Sequence, residues 1–165
     1  MSIWPQDIEE KAYSLIHDFT ARGLMVATAE SCTGGMIAGA LTEIPGSSSV
    51  IDRGFVTYSN EAKMQMIGVS SETLAAHGAV SRETAIEMAK GALDGSSADV
   101  SIAVTGVAGP GGGSVEKPVG LVHLAAARRD GQMFHRKMRY GDIGRQGVRL
   151  ATLRTALEML VEAGR

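Results

Sequence analysis

The sequence predicts an α/β protein, a three-layer α/β/α sandwich on a mixed, mostly parallel sheet. Three observations carry that expectation. Segments with helical apolar spacing alternate with short apolar runs of strand length, the pattern of helices packed on both faces of a sheet. Two extended runs flank Arg129-Asp130-Gly131, which adds an antiparallel hairpin near the end of the chain. At 165 residues, with neither a repeat nor a long linker, the chain is read as one domain over 1–165 with a substantial core.

The elements follow in order. From Pro5 to Ala21, Ile8, Ala12, Leu15, Ile16 and Phe19 recur at helical spacing, and Gly23 is a stop. Leu24–Ala27 suits a buried strand. Met36, Ile37, Ala40, Leu41 and Ile44 predict a helix over Thr33–Glu43 that ends near Pro45-Gly46, with a loop at Ser47–Ser49. Val50–Tyr58 is a strand, with Phe55, Val56 and Thr57 favouring extended structure. Short helices follow at Glu61–Ile67 and Ser71–His77. Ser81 is the N-cap of a longer helix carrying Ala85, Ile86, Met88, Ala89 and Leu93. Val100–Val104 is another buried strand, Val119–Ala127 and Met133–Tyr140 form the hairpin, and a helix from Arg145 to Ala163 closes the chain.

Composition excludes several function classes. A formal charge of −2 supplies no basic field for nucleic acid or an anionic membrane, and 4% aromatic residues leave little for base stacking. One cysteine and four scattered histidines leave no disulfide framework and no zinc-type spacing, so no metal is expected. The first residues lack a basic segment followed by an apolar one, and no apolar run approaches membrane length. A cytoplasmic protein acting on a small molecule is expected.

Three signatures each follow a predicted strand, at the strand ends where open α/β sheets bind ligands. The first is Ala29-Glu30-Ser31-Cys32-Thr33-Gly34-Gly35. A hydroxyl at Ser31 would lie beside the free amides of a helix start, and Gly34 and Gly35 would let a substrate approach the backbone. Ser31 or Thr33 could equally be a plain N-cap. The run has neither the Gly-x-Ser-x-Gly elbow nor a Ser-x-x-Lys spacing. Cys32 is a rival nucleophile if the helix start lowers its pKa, or else a small core residue.

The second signature places Tyr58 at a strand end and Lys63 in the first turn of the next helix. A lysine here is either solvated or a general base for Ser31. For the latter its pKa must fall, because a neutral amine at pH 7 costs about 4.6 kcal/mol from the ordinary value. Tyr58 could bridge amine and hydroxyl, simply orient one of them, or anchor a core edge through its phenol. The third, Thr105–Gly113, holds five glycines and fits neither nucleotide-binding glycine motif. It could cradle an anion or be a mobile loop. Arg145 and Arg149, one turn apart at a helix start, oppose the dipole preference and suit an anionic group, unless they are simply exposed.

Four stretches together, Ala29–Gly35, Gly54–Lys63, Gly106–Gly113 and Lys117-Pro118-Val119-Gly120, resemble the CinA C-terminal domain family in its stand-alone nicotinamide-nucleotide amidohydrolase (PncC-type) form, from about Ile8 to Leu160. The resemblance implies hydrolysis of the carboxamide of nicotinamide mononucleotide to nicotinic acid mononucleotide and ammonia, in pyridine nucleotide salvage. It implies Ser31 as nucleophile, Lys63 as its base and Tyr58 assisting. Thr33, Gly34, Gly35, Thr105, Gly106 and Arg145 are then expected to bind substrate. No cofactor is implied, and a homo-oligomer is expected. Relatives often write Gly-Asp-Arg before the last helix, whereas here Ile143-Gly144 separate Asp142 from Arg145. Two other readings stand beside this one: a non-catalytic nucleotide-sensing module linked to competence or DNA damage, and an amidase for another small carboxamide.

Overall fold

The computed structural model describes residues Met1–Arg165. Five strands, β1 (Val26–Glu30), β2 (Ile51–Val56), β3 (Val100–Gly106), β4 (Leu121–Arg128) and β5 (Met133–Arg139), make one sheet in the order β2-β1-β3-β4-β5. β1 pairs in parallel with both β2 and β3, while β3–β4 and β4–β5 are antiparallel. Only β4 runs against the rest, so the sheet is mixed with four of five strands pointing one way.

Strand alternation sorts the side chains into two cores. Val100, Ile102 and Val104 of β3, with Val122, Leu124 and Ala126 of β4, face α1 (Gln6–Arg22), α2 (Met36–Thr42) and α6 (Arg145–Ala163). Ala27, Ala29, Ala103, Ala125 and Ala127 face the other way, against α5 (Arg82–Asp94), with α3 (Asn60–Ile67) and α4 (Ser71–His77) outside it. Alanine on that face of the sheet meets Ala85, Ala89 and Ala92 of α5, so helix and sheet pack closely. The expected three layers result. No helix is long and apolar enough to cross a membrane.

Local chemistry sets most boundaries. Gly23 takes a left-handed φ of 66° and ends α1, with the Leu24 amide reaching back to the Phe19 carbonyl. Ser59, Ser70 and Ser81 accept from the amides of Ala62, Thr73 and Thr84 and cap α3, α4 and α5, so the Ser81 expectation holds. α4 and α6 span the expected residues.

Other boundaries moved. β1 lies at Val26–Glu30 rather than Leu24–Ala27, because Thr28 and Glu30 are buried in a central strand despite their polarity. α2 starts at Met36 rather than Thr33, since Gly34 and Gly35 take φ of +58° and +105° and hold the preceding residues in a turn. β2 ends at Val56, short of Tyr58. The Thr57 amide still donates to the Glu30 carbonyl at 2.9 Å, but the chain then turns into α3.

Candidate active site

The sheet order places a topological switch at the carboxyl end of β1, with parallel neighbours on both sides and connections leaving in opposite directions. A cavity of about 310 Å³ opens there. Ser31 reaches it from the end of β1, Lys63 from α3, Thr105 from the end of β3 and Arg145 from the start of α6. Gly109, Gly111 and Gly112 of the glycine loop complete one side.

Lys63 is the decisive feature of the arrangement. Its side chain is only 1% exposed, which removes the solvated alternative. The amine donates to Ser31 Oγ at 3.0 Å, to the Thr57 carbonyl at 2.9 Å and to the Tyr58 carbonyl at 3.3 Å. Burial lowers its pKa below the ordinary lysine value, partly opposed by the nearby Cys32 sulfur. Amine and hydroxyl therefore stand within direct proton-transfer distance.

Cys32, also at the cavity, belongs to the larger core, and burial pushes its thiol up to about 12. A thiol that resists ionisation is a poor nucleophile, so the core alternative fits. The one close histidine pair, His123 Nδ1 to His135 Nε2 at 3.0 Å, does not line the cavity. No group of three His, Cys, Asp or Glu side chains is placed to hold a metal.

Several expectations are corrected by geometry. The Tyr58 phenol does not bridge Lys63 and Ser31. It is 60% exposed, and its hydroxyl accepts from Arg145 Nη2 at 3.0 Å, while only its carbonyl meets Lys63. Thr33 is fully buried, and its hydroxyl donates to Glu30 Oε1 at 2.6 Å, so its side chain cannot face a substrate. Gly34 and Gly35 do not line the cavity; their positive φ, rather than ligand access, explains glycine at both places.

Thr105 and Gly106 both reach the cavity wall. The Thr105 hydroxyl donates to the Ala79 carbonyl at 2.8 Å and braces the segment leading into α5. Despite the two residues inserted before it, Arg145 arrives at the site, because Gly144 at φ 85° turns the chain into α6. Its Nη1 donates to the Gly109 carbonyl at 2.8 Å. Arg149 behaves differently: it donates to the Cys32 and Thr33 carbonyls at 3.1 and 3.2 Å, clamping the serine turn from behind.

Sequence reasoning missed four contributors. Asn60, Ala79 and Val80 line the cavity, and Glu30 lies buried at the end of β1 beside Ser31. For Glu30 the available signal was a carboxylate continuing an apolar strand beside the serine, which must find donors inside the fold.

Comparison with known proteins agrees with this architecture. The model of the CinA C-terminal domain family matches residues 8–163. The chain belongs to the CinA C-terminal domain family. Within it, the Nicotinamide-nucleotide amidohydrolase PncC of Escherichia coli K12 is 54% identical over 141 residues, covering 85% of this chain and 84% of that protein. A CinA-like protein of Chloroherpeton thalassium is 63% identical over 107 residues, and the chain spans about a quarter of that longer relative, 26% of its length. A crystal structure of the competence/damage inducible protein CihA from Agrobacterium tumefaciens superposes with a TM-score of 0.99 at 66% identity, covering 100% of both chains. A CinA superfamily structure from Escherichia coli gives 0.89 at 37% identity, over 98% of this chain and 94% of that one.

Proposed function

We propose that the protein hydrolyses the carboxamide of nicotinamide mononucleotide, releasing nicotinic acid mononucleotide and ammonia. The observation that carries this reading is the 3.0 Å contact between the buried Lys63 amine and the Ser31 hydroxyl at a small-molecule cavity. The amidohydrolase name of the Escherichia coli relative supports the choice of substrate.

The neutral Lys63 amine takes the Ser31 proton as Oγ attacks the carboxamide carbon. The amides of Cys32 and Thr33, next in the chain to Ser31, have no backbone acceptor and are free to serve as donors for the oxyanion. As the C–N bond breaks, the Lys63 ammonium returns its proton to the leaving nitrogen, and ammonia departs. Water then adds to the acyl-serine ester with Lys63 as base again, and the carboxylate product leaves as Ser31 recovers its proton. Ala79 and Val80 offer an apolar wall for the pyridine ring, and Arg145 stands at the rim beside Tyr58 for the phosphate end. No step calls for a cofactor. Such a reaction serves pyridine nucleotide salvage in the cytoplasm.

The test is ammonia release from purified protein given nicotinamide mononucleotide, its riboside and free nicotinamide. The mononucleotide is expected to be the best substrate, and Ser31→Ala to lose at least about a thousandfold in kcat, as loss of an activated nucleophile does. Tight binding of the mononucleotide with no turnover would favour a nucleotide sensor instead. Near-normal turnover by Ser31→Ala would remove the serine mechanism.

A further inference from the structure

Glu30 is 1% exposed and directly precedes Ser31 at the end of β1, yet its carboxylate hydrogen-bonds to neither the Ser31 nor the Lys63 side chain. Its carboxylate gathers three donors. Oε1 accepts from the Thr33 hydroxyl at 2.6 Å and the Ile37 amide at 2.8 Å, and Oε2 accepts from the Ala38 amide at 3.1 Å. Those contacts fix both ends of the turn that carries Ser31. They also give α2 the cap that its own N-cap residue, Gly35, cannot supply.

The main chain of the same residue reaches the other partner. The Glu30 carbonyl accepts from the Thr57 amide at 2.9 Å, and the Thr57 carbonyl accepts from the Lys63 amine at 2.9 Å. One buried residue thus ties the nucleophile's turn through its side chain, and the base's anchor through its backbone. No lysine, arginine or histidine forms an ion pair with Glu30. Its acceptor capacity is spent on the turn and on α2 instead.

We propose that Glu30 is a positioning residue for the reaction, holding the Ser31 hydroxyl at proton-transfer distance from the Lys63 amine. The inference rests on the serine–lysine reading given above. A carboxylate suits the role because all three contacts need acceptors, and only a carboxylate offers acceptors on both oxygens. An amide at this position would keep the Thr33 and Ile37 bonds but set an NH2 group against the Ala38 amide. The turn would then loosen on the α2 side while the fold kept most of its contacts. A proton-transfer geometry fails before a fold does, since a shift of about 1 Å can cost roughly a hundredfold in rate.

The experiment compares wild type, Glu30→Gln and Glu30→Ala in steady-state kinetics, thermal unfolding, and inactivation by a fluorophosphonate that phosphonylates an activated serine. Glu30→Gln is expected to remain folded, with KM within about twofold, and to lose at least about tenfold in both kcat and phosphonylation rate. Its acidic pH limb should stay where it is, because Lys63 keeps its surroundings. Glu30→Ala should lose more and unfold at a lower temperature. Near-wild-type kcat and labelling in Glu30→Gln would overturn the proposal, as would a loss that appears in KM alone. The labelling arm separates this inference from the substrate assignment. If wild type releases no ammonia from the mononucleotide yet labels in a Glu30-dependent way, the assignment fails and the positioning role survives.

Discussion

The Lys63 amine has a hydroxyl and two carbonyls around it and no carboxylate in an ion pair, so nothing nearby offsets the loss of water from its charged form. Its lowered pKa has two consequences with worked signs. Under the proposed serine–lysine mechanism Lys63 acts as a neutral amine, so kcat/KM should fall as pH drops through that lowered pKa. Stability runs the same way. Between the lowered folded value and the ordinary unfolded one, the unfolded chain binds more protons, so folding gains as pH rises. Urea titrations of wild type and Lys63→Met at pH 7 and pH 10 check this. Wild type should gain stability relative to the variant at the higher pH, and a constant difference would contradict the buried-amine account. The sequence marked Lys63 by its place after a strand, but burial is a property of the neighbours that close over it. The partner of the Tyr58 phenol is settled in the same way, since Arg145 lies 87 positions away.

At the scale of elements, local signals worked where caps and periodicity decide the boundary. Ser70 and Ser81 start α4 and α5, and the apolar stripe of Val148, Leu153, Leu157 and Leu160 buries α6. They failed at β1 and at the start of α2, where buried Glu30 and two left-handed glycines override the propensity of the surrounding residues. Gly91 in α5 shows how packing reverses a local preference. In an open helix, alanine would be better than glycine by about 0.5–1 kcal/mol. Here a Cβ would fall 1.8 Å from the Ile67 carbonyl oxygen at the end of α3, so helix or carbonyl must move. Gly91→Ala should therefore destabilise by roughly 2–3 kcal/mol, read from the urea midpoint. An unchanged or raised midpoint would show that α3 yields easily.

Across the whole molecule, α6 acts as a brace between parts of the chain that sequence separates widely. Arg149 grips the Cys32 and Thr33 carbonyls from 117 and 116 positions away, and Arg145 spans the glycine loop and Tyr58. Removing the Arg149 fork leaves two carbonyls of the serine turn without their charged donor. Arg149→Ala should cost roughly 1.5–3 kcal/mol of stability and lower kcat more than it changes KM. Arg149→Lys should restore little, because one ammonium cannot reproduce the planar fork. Thermal unfolding alongside ammonia release measures both effects; full activity in the alanine variant would reduce this clamp to a surface contact.

The order of the residues was enough to establish the layers, the hairpin, most helix ends and the three strand-end signatures, because periodicity, caps and turns depend on neighbours a few positions apart. The burial and contact geometry of the Ser31–Lys63 pair, the turning inward of Thr33 onto Glu30, and the different hydrogen-bond partners of Arg145 and Arg149 came from the folded chain alone. Burial, hydrogen-bond partners and pKa depend on atoms brought together across the sheet, and no local pattern encodes that proximity.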